Sequence, residues 1–535
     1  MAIRSLLIAN RGEIAVRIAR TCRELGIEAV AVQAPDDTGA LHARVADRVV
    51  DVASYLDPAA IAAAAATAGV DAVHPGYGFL AERADAAEAV AAAGCLWIGP
   101  PVEVLRRSGD KVEARAIAEA AGVPVLPAGE PEAVGFPLLL KAAAGGGGRG
   151  MRVVRTPAEL DEARAAASRE AEAAFGDGRV YAERLVEHAH HVEVQLLADV
   201  HGGVLAVGER DCSVQRRYQK VLEESPSPVV DDAVRTRLAD AATAFARAAG
   251  YVGAGTAEFL VADGEVWFLE LNARIQVEHP VTEAVFGLDL VAAQIAIADD
   301  GAVPVLGAPS GHAVEVRVYA EDPLAFLPRT GIVRRLVLPD GVRVDAGVAE
   351  GDPVPIAYDP MIAKLIAHAP TRAEAIAQLA AAVDATRVEG VETNLPFLRW
   401  LLRQPDVLAG TATTAFLDEH PPLSAHRRPR GPFAGAWRQR PAAGAGRLPV
   451  PRIPERQAGQ RSDGRLIAPM PGMLLELAVA PGDRVEEGAT VAILEAMKME
   501  HRLVAPHAGV VAETHPGVGG FVDAGALIAV VERDG

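Results

Sequence analysis

Six residues near the C-terminus, Glu495-Ala496-Met497-Lys498-Met499-Glu500, separate two copies of one sequence pattern. The copies are offset by 37 residues, and three pairs of positions match at this offset: Pro469 with Pro506, Val485 with Val522, and Gly488 with Gly525. Each copy consists of short apolar runs separated by glycine turns, which is typical of a β half-unit. The symmetry predicts a small all-β domain with Lys498 at the tip of the hairpin that joins its two halves.

A lysine on such a turn is accessible to a modifying enzyme, although a lone Met-Lys-Met can also be an ordinary solvated turn. The stretch around Lys498 resembles the biotin carboxyl carrier domain, whose biotinylated lysine lies in Ala-Met-Lys-Met, and the resemblance extends from Arg465 to the end of the chain. Lipoyl domains share the half-repeat architecture, but their lysine usually follows Asp rather than Met. The resemblance therefore implies biotin on Lys498 and a biotin protein ligase as a partner.

Composition limits the class of protein. The 535 residues are enough for several domains, because single cores stop growing beyond roughly 250–300 residues. A net charge of -19 argues against nucleic acid or an anionic membrane as the main partner. The three cysteines, Cys22, Cys95 and Cys212, have no metal-ligand or paired spacing. Neither a transmembrane-length apolar run nor a signal peptide is recognisable, so we expect a soluble cytoplasmic protein.

The N-terminal residues predict a parallel α/β sheet. Apolar strands at 6–9 and 29–32 flank a helical pattern that ends at Gly26. The turn between the first strand and the helix carries one glycine, which falls short of a dinucleotide fingerprint, so an NAD site is not predicted. The loop 74–80 follows another strand, and open α/β sheets bind ligands at that end of a strand.

A glycine-rich segment, 144–150, lies between predicted strands at 136–141 and 151–154. It is not a Walker A loop, because no Gly-Lys-Ser/Thr follows and a strand rather than a helix comes next. Successive backbone N–H groups in such a turn can close over phosphates. The pattern favours a hairpin flap over a nucleotide, with Lys141 at the strand end contacting phosphate.

Two further strands are predicted around the turn Asp263-Gly264, with the acids Glu258 and Glu270 on them and Asn272 just beyond. Oxygen ligands of this kind suit Mg²⁺ or Mn²⁺ bridging ATP phosphates. In a plain two-residue hairpin, however, Glu258 would pair with Leu269, and Glu270 would face the other way. We therefore predict an odd-length loop or a bulge that places both carboxylates on one face.

Several segments together carry a second resemblance to a known family. They are the loops 10–13 and 74–80, the segments 209–213 and 215–220, and the segment 272–280, which reads Asn-Ala-Arg-Ile-Gln-Val-Glu-His-Pro. From Met1 to about residue 420 the chain resembles biotin carboxylase, an ATP-grasp enzyme. The implied fold is an α/β ATP-grasp biotin carboxylase followed by the small all-β biotinyl domain. The expected parts are an N-terminal α/β domain at 1–110, an ATP-grasp domain at 111–312, a C-terminal α+β domain at 313–425, a linker at 426–464 and the biotinyl domain at 465–535.

The same resemblance implies roles for individual residues. The nucleotide contacts would be Lys111, Lys141, Gly147, Gly148, Glu183, Arg184, Leu185, Val186, His191, Tyr218, Glu258 and Glu270. The metal ligands would be Glu258, Glu270 and Asn272. Bicarbonate would be bound by Lys220, Arg274, Gln276, Val277 and Arg343. Glu278 would take the bicarbonate proton, and Arg343 matches the family arginine that stabilises the biotin enolate. Two departures stand out, because Tyr218 replaces the usual His and Ala144 replaces the first glycine of the flap.

The expected activity is ATP-dependent carboxylation of protein-bound biotin with bicarbonate through carboxyphosphate, in fatty acid metabolism. Residues 441–464 have the Pro, Arg, Ala and Gly composition of a linker, which can act as a swinging arm. The chain has no room for a carboxyltransferase, so we expect the acyl-CoA carboxylase partner to be a separate subunit in a larger oligomer. The sequence leaves the acyl-CoA open. Two alternatives remain at this point: an ATP-grasp ligase with a lipoyl-like domain, and a non-catalytic carrier or scaffold.

Overall fold

The computed structural model describes residues 2–143, 151–216, 219–324, 326–355, 357–421, 464–470, 472–496, 499–515, 517–523 and 525–533. Four predicted site residues, Gly147, Gly148, Tyr218 and Lys498, lie outside the described residues, as does most of the predicted linker. Expectations for these positions therefore remain sequence predictions.

The N-terminal part of the chain is a five-stranded parallel sheet with flanking helices. Its elements are β1 (Ser5–Ile8), α1 (Gly12–Leu25), β2 (Glu28–Gln33), α2 (Leu41–Val45), β3 (Arg48–Asp51), α3 (Pro58–Ala68), β4 (Ala72–His74), α4 (Ala84–Ala92), β5 (Leu96–Trp97) and α5 (Val102–Gly109). Gly26 ends α1 with a φ of 71°, and the Asp57 side chain caps the backbone N–H groups at the start of α3. The predicted parallel sheet is confirmed, with strand order β3-β2-β1-β4-β5.

The strand order reverses between β1 and β4, and the two predicted loops meet there. The Asn10 amide, just after β1, donates hydrogen bonds to the carbonyl oxygens of Pro75 at 2.7 Å and Tyr77 at 2.8 Å in the loop after β4. Gly76 has a φ of +64°, and a Cβ at this position would lie 2.9 Å from the Asn10 amide nitrogen. Glycine is therefore required at position 76 for the loop to pass Asn10.

A small four-stranded antiparallel sheet follows. Its segment contains α6 (Lys111–Ala120), β6 (Ala128–Gly129), α7 (Pro131–Val134), β7 (Leu138–Ala142), β8 (Arg152–Val154), α8 (Leu160–Phe175) and β9 (Val180–Arg184). The strand order is β6-β9-β7-β8. Leu138 lies opposite Val154 and Leu140 opposite Arg152, so the two strands that flank the glycine-rich segment pair as the sequence predicts.

The next segment supplies most of a larger sheet. It contains β10 (His190–Ala198), β11 (Val204–Arg216), β12 (Gln219–Ser225), α9 (Asp232–Ala249), β13 (Gly253–Ala262), β14 (Glu265–Asn272), α10 (His279–Phe286) and α11 (Leu290–Ala298). Phe245 on α9 stacks on Phe268 of β14 with ring centroids 4.6 Å apart. This contact belongs to an apolar core between α9 and the outer strands of the sheet.

The C-terminal part of the synthetase region completes the larger sheet. It contains β15 (His312–Tyr319), β16 (Gly331–Ile332), β17 (Arg335–Val337), β18 (Arg343–Ala346), β19 (Pro353–Val354), β20 (Met361–Ala369), α12 (Arg372–Ala385), β21 (Arg387–Glu389), α13 (Leu395–Leu401), α14 (Pro405–Ala409) and α15 (Phe416–Glu419). A capping box of Thr371 and Glu374 begins α12. The sheet has the order β14-β13-β10-β11-β12-β15-β20-β18. It therefore includes strands from both sides of residue 312, the expected end of the ATP-grasp domain.

The last described residues form two four-stranded sheets. Their strands are β22 (Arg465–Ile467), β23 (Gly472–Leu477), β24 (Arg484–Val485), β25 (Thr490–Ala496), β26 (Met499–Val504), β27 (Gly509–Thr514), β28 (Phe521–Val522) and β29 (Leu527–Glu532). The orders are β22-β29-β27-β24 and β26-β25-β23-β28. Ala496 lies opposite Met499, so β25 and β26 pair as an antiparallel hairpin. The expected all-β domain is confirmed.

Three further features bear on the sequence expectations. Cys22, Cys95 and Cys212 are buried and form no disulfide. No single helix in the described ranges has both the length and the apolarity to cross a bilayer. Among the described residues, the pair α10 and α11 has the combined length and apolarity for this, but the axes of the two helices are bent by 93°.

Candidate active site

The two acids predicted to share a metal lie on one face of the larger sheet. Glu258 on β13 is directly opposite Glu270 on β14, and the register shifts by one residue between Glu258 and Phe259, which pairs with Phe268. Leu269 is the extra residue, so the predicted bulge is confirmed. Asn272 lies on the same face, since its amide donates to Glu258 Oε1 at 2.9 Å. These three side chains form an all-oxygen set of the kind that binds Mg²⁺ together with phosphate oxygens.

Lys220 on β12 lies at the centre of a buried group of acids. Its ammonium is 2.8 Å from Glu258 Oε1 and 2.7 Å from Glu278 Oε1, and it also contacts Glu193 on β10. Burial acts to lower the pKa of Lys220, but the three carboxylates override it and raise the pKa well above its usual value. Lys220 is therefore a permanent cation held in place by three anions.

Two of the carboxylates around Lys220, Glu258 and Glu278, are held in the ionised form. Burial alone would raise the pKa of Glu258, but Lys220 and His191 hold it well below its usual range. His191 Nε2 lies 2.9 Å from Glu258 Oε2. Glu278 just precedes α10, and Lys220 and Arg317 likewise lower its pKa against the effect of burial. The site thus presents ionised carboxylates beside fixed cations.

Arg274 is oriented by contacts on three sides. Its guanidinium donates to Asn272 Oδ1 at 2.9 Å, to Gln276 Oε1 at 2.8 Å and to Glu82 Oε2 at 3.0 Å. Glu82 belongs to the N-terminal part of the chain, so the orientation of Arg274 depends on two separate regions. A planar fork fixed in this way is suited to two oxygens of a small anion such as bicarbonate.

The residues after Arg274 are tied to the same group. The Gln276 amide donates to Glu258 Oε1 at 3.3 Å. The Val277 carbonyl accepts a hydrogen bond from Lys364 Nζ at 2.7 Å, and Lys364 is fully buried. The segment from Arg274 to Glu278 is therefore fixed by contacts with β13 and β20.

The nucleotide side of the site contains two further lysines. Lys111 begins α6, and its Nζ lies 2.9 Å from Glu270 Oε2. Burial acts to lower the pKa of Lys111, but Glu270 raises it above its usual value. Lys141 on β7 pairs with Glu183 on β9. Both ammonium groups thus face acids of the predicted ATP site, where phosphate oxygens would be competing partners.

The remaining nucleotide predictions lie at the end of β9. Arg184 is exposed, and Leu185 and Val186, which follow it, are half-buried. The Arg184 N–H donates to the Pro127 carbonyl at 2.9 Å, and the Leu185 N–H donates to the Pro137 carbonyl at 3.4 Å. The backbone of this segment is thus held against the small sheet, while its side chains reach the surface.

Arg343 is bound to acids other than those around Lys220 in this structure, and its predicted role stays a prediction. Arg343 on β18 binds Glu283 Oε2 at 2.7 Å and Asp345 Oδ2 at 2.8 Å, and none of its contacts with the described residues involves Lys220, Arg274 or Glu278. The arginine beside Glu278 is Arg317 on β15, with its Nη2 3.0 Å from Glu278 Oε2. Register explains this, since Arg343 pairs with Ile366 on β20, away from β12.

Sequence reasoning missed several residues of the charged group around Lys220 and Arg274: Glu82, Glu193, Arg210, Arg317 and Lys364. A signal was present in two cases. Glu193 lies between His191 and Gln195 in the apolar strand β10, and Arg317 follows Glu315 by two residues in the apolar strand β15. Charged side chains at alternate positions of a buried strand share one face and need partners there. Such alternation marks a polar site inside a sheet.

Four family models match the chain. They are Biotin carboxylase, N-terminal domain, over residues 2–105; Carbamoyl-phosphate synthase L chain, ATP binding domain, over 110–305; Biotin carboxylase C-terminal domain, over 315–419; and Biotin-requiring enzyme, over 464–531. Together they define an ATP-grasp synthetase joined to a domain of biotin-requiring enzymes.

Individual proteins support the same grouping. A biotin carboxylase of Halalkalibacterium halodurans is 46% identical over 451 residues, covering 80% of this chain and 100% of the relative. The biotin-dependent acyl-coenzyme A carboxylase alpha3 subunit of Mycobacterium leprae is 40% identical over 560 residues, covering 93% of this chain and 94% of the relative. The chain belongs to the biotin carboxylase family.

A solved structure has the same fold. The biotin carboxylase domain of 2-oxoglutarate carboxylase from Hydrogenobacter thermophilus, in complex with MgADP, ADP and bicarbonate, matches with a TM-score of 0.77 and 38% identity. The match covers 79% of this chain and 98% of that chain. The ATP-grasp fold and the attached biotinyl domain expected from the sequence are therefore confirmed.

Proposed function

We propose that this chain is the biotin carboxylase and biotin carrier subunit of an acyl-CoA carboxylase whose carboxyltransferase is a separate chain. The observation that carries the proposal is the alignment over 93% of the chain with an acyl-coenzyme A carboxylase alpha subunit, which spans both the synthetase region and the biotinyl domain. The acyl-CoA would bind on the partner, so its identity is not encoded in the site described above.

ATP would bind between the small and the larger sheets. Lys111 and Lys141 supply cations for the phosphates, and Glu258, Glu270 and Asn272 would hold Mg²⁺ or Mn²⁺ against them. The metal, when bound, neutralises charge on the transferred phosphoryl group. Phosphate oxygens would then replace Glu270 and Glu183 as partners of the two lysines.

Bicarbonate would bind at the Arg274 guanidinium, with the Lys220 ammonium on its other side. A bicarbonate oxygen attacks the γ-phosphorus of ATP, ADP leaves, and carboxyphosphate is formed. Positioning and charge neutralisation by Arg274 and Lys220 are the main contributions of the protein. Glu278 is in the carboxylate form needed to accept the bicarbonate proton. Its low pKa makes it a weak base while Lys220 stays in contact, and an anion that draws Lys220 away would strengthen it.

The hairpin of β25 and β26 would deliver the biotin on Lys498 to this site. The decisive measurement is ATP hydrolysis by the purified full chain with free biotin, in the presence and absence of bicarbonate. We expect hydrolysis that depends on bicarbonate, and a peptide mass that shows biotin on Lys498 in protein from its native host. A separate carboxyltransferase should co-purify with the chain. ATP hydrolysis that is indifferent to bicarbonate, or lipoate on Lys498, would overturn the proposal.

A further inference from the structure

Two buried acids next to the site occupy directly opposed positions on neighbouring strands. Glu223 on β12 lies directly opposite Glu315 on β15 in the antiparallel register, and both side chains are 0% exposed. Neither carboxylate oxygen of Glu315 accepts a hydrogen bond from the described residues. The Arg317 guanidinium contacts Glu223, with its Nη2 2.6 Å from Glu223 Oε1.

This arrangement differs from that of the neighbouring acid on the same strand. Glu224, on the other face of β12, accepts two hydrogen bonds from Arg372, at 2.6 and 2.8 Å, and has His312 Nε2 at 2.6 Å. Glu224 thus has the partners that a buried carboxylate requires, whereas Glu315 has none of this kind.

Two carboxylates in direct opposition and out of contact with water cannot both be ionised at low cost. Like charges at a directly opposed pair repel, and each unsatisfied buried charge adds a desolvation cost. A proton held between the two acids removes both costs, because one carboxyl becomes a donor to the other. Pairs of carboxyls that share one proton in this way are a general solution to the problem.

We propose that Glu223 and Glu315 share one proton in the resting protein and that this singly charged pair is the support that positions Arg317 against Glu278. Arg317 Nη2 lies between Glu223 Oε1 at 2.6 Å and Glu278 Oε2 at 3.0 Å. Glu223 and Glu315 are positioning residues, since they act through Arg317. The catalytic part of the inference rests on the proposed function, whereas the shared proton does not.

The surrounding charges agree with one retained proton. Burial raises the pKa of Glu223 to about 7, with Arg317 and Lys220 lowering it and Glu278 raising it. Burial also raises the pKa of Glu315 well above its usual value, with Lys364 and Arg317 acting in the opposite direction and Glu223 and Glu278 reinforcing the rise. Lys364 cannot neutralise Glu315 fully, because its Nζ is directed at the Val277 carbonyl and lies 3.2 Å from Glu13.

The charge of the pair sets the balance of forces on Arg317. With one proton on the pair, the guanidinium group of Arg317 lies between two acids, Glu223 and Glu278, that each have about one negative charge. Loss of the proton adds a second charge on the Glu223 side and draws Arg317 away from Glu278. Turnover should therefore fall as the pH rises through the ionisation of the shared proton.

The direct test is infrared spectroscopy of the full chain at neutral pH, through the carbonyl stretch that only a protonated carboxyl shows. We expect Glu315→Gln to remove one such band, and Glu223→Gln to shift it, because Glu315 then stays protonated but loses its carboxylate partner. The matched control is Glu224→Gln, which should remove none because Glu224 is ionised. If Glu315→Gln removes no carbonyl band from the wild-type spectrum, the shared proton is refuted, whatever the enzymatic activity.

The kinetic test uses the pH profile of bicarbonate-dependent ATP hydrolysis with free biotin. Glu315→Gln cannot acquire the second charge, so the alkaline decline of kcat should shift to higher pH. Glu223→Gln removes the anion that holds Arg317 and should lower kcat about tenfold, with little change in the KM for ATP. The positioning role would be overturned if the alkaline decline of kcat in Glu315→Gln occurs at the same pH as in the wild type. It would also be overturned if Glu223→Gln changes the KM for ATP by as large a factor as it changes kcat.

Stability provides a readout if a variant is inactive. A neutral amide is a close match for the protonated partner in a pair that shares one proton, so each single Gln variant should fold at neutral pH. Failure of both to fold would show that both carboxylates are required as charges and would overturn the proposal. A wild-type chain without bicarbonate-dependent hydrolysis, but with the infrared band, would refute the proposed function and leave the shared proton standing.

Discussion

Glu258 lies directly across the β13–β14 ladder from Glu270, although a regular hairpin around Asp263-Gly264 would pair Glu258 with Leu269. The extra residue in β14 turns Glu270 to the face that carries Lys220, Lys111 and Asn272. A bulge of one residue thus decides whether the two carboxylates can share a metal.

Glu270→Gln should weaken Mg²⁺-dependent ATP binding by about tenfold or more, which corresponds to at least about 1.4 kcal/mol. The variant loses an anionic oxygen ligand and also the partner of Lys111, whose Nζ is 2.9 Å away. Calorimetric titration with ATP at several Mg²⁺ concentrations measures the effect. Glu265→Gln, at an exposed position of the same hairpin, is the control and should bind as the wild type does. Equal affinities of the two variants would contradict the shared metal site.

Arg274→Ala and Glu278→Ala should each abolish bicarbonate-dependent ATP cleavage while nucleotide binding stays measurable. Arg274 is the anchor for bicarbonate, and Glu278 is the proton acceptor. Neither is expected to contact the adenine or ribose, so ATP affinity should change little. Steady-state hydrolysis and equilibrium ATP binding, measured on the same samples, separate the two effects. Full turnover in either variant would refute the assigned role.

Arg317→Lys and Arg343→Lys should differ in effect. One nitrogen, Arg317 Nη2, contacts both Glu223 and Glu278. The lysine side chain is shorter and would not bring its ammonium to that position, so kcat should fall about tenfold or more. Position 343 contacts Glu283 and Asp345, and its substitution should affect the free energy of unfolding more than turnover. Parallel measurements of kcat and of urea unfolding check both. A larger loss of kcat in Arg343→Lys would support the role that the resemblance implies for Arg343.

Glu224→Gln should reduce the free energy of unfolding at pH 7 by about 3 kcal/mol, since it leaves the half-buried Arg372 without its buried charged partner. Burial acts to raise the pKa of Glu224, but His312 and Arg372 lower it overall. The contribution is therefore fully present above the unfolded pKa of about 4.3 and is lost as the pH falls through the folded pKa.

Urea unfolding at several pH values should show the wild-type and Glu224→Gln curves converging below about pH 4. The control is Glu389→Gln, whose pair with Arg335 spans 3.5 Å between side chains that are each 61% exposed. That change should cost no more than about 0.5 kcal/mol. A pH-independent difference between wild type and Glu224→Gln would show that the charge of Glu224 is not what stabilises the contact.

Deletion of residues 441–460 should uncouple carboxylation of free biotin from overall acyl-CoA carboxylation. This segment lies outside the described residues, and the prediction rests on its length. The roughly 24 residues of 441–464 span at most about 80 Å when extended, and about 25–30 Å as a flexible coil. The assay compares free-biotin carboxylation, which should persist, with acyl-CoA carboxylation by the reconstituted complex, which should fall. Unchanged overall carboxylation would count against a swinging arm.

Local sequence patterns were sufficient for the architecture. Apolar runs, glycine turns and caps predicted the parallel N-terminal sheet, the β7–β8 hairpin and the β25–β26 hairpin. These features depend on residues near one another in the chain, whose backbone preferences and periodicity are visible in the sequence. Even the bulge at Leu269 could be predicted, because two acids with a common ligand must face the same side of one hairpin.

Contacts between distant strands were decided only by the tertiary structure. Arg317 rather than Arg343 lies beside Glu278, and Glu223 opposes Glu315, because of the order and register of β12, β15, β20 and β18. Register between strands far apart in sequence is set by the packing of the whole sheet, and no local pattern encodes it. The sequence by itself therefore determined which strands, turns and charged residues are present, and the folded sheet determined which charges meet.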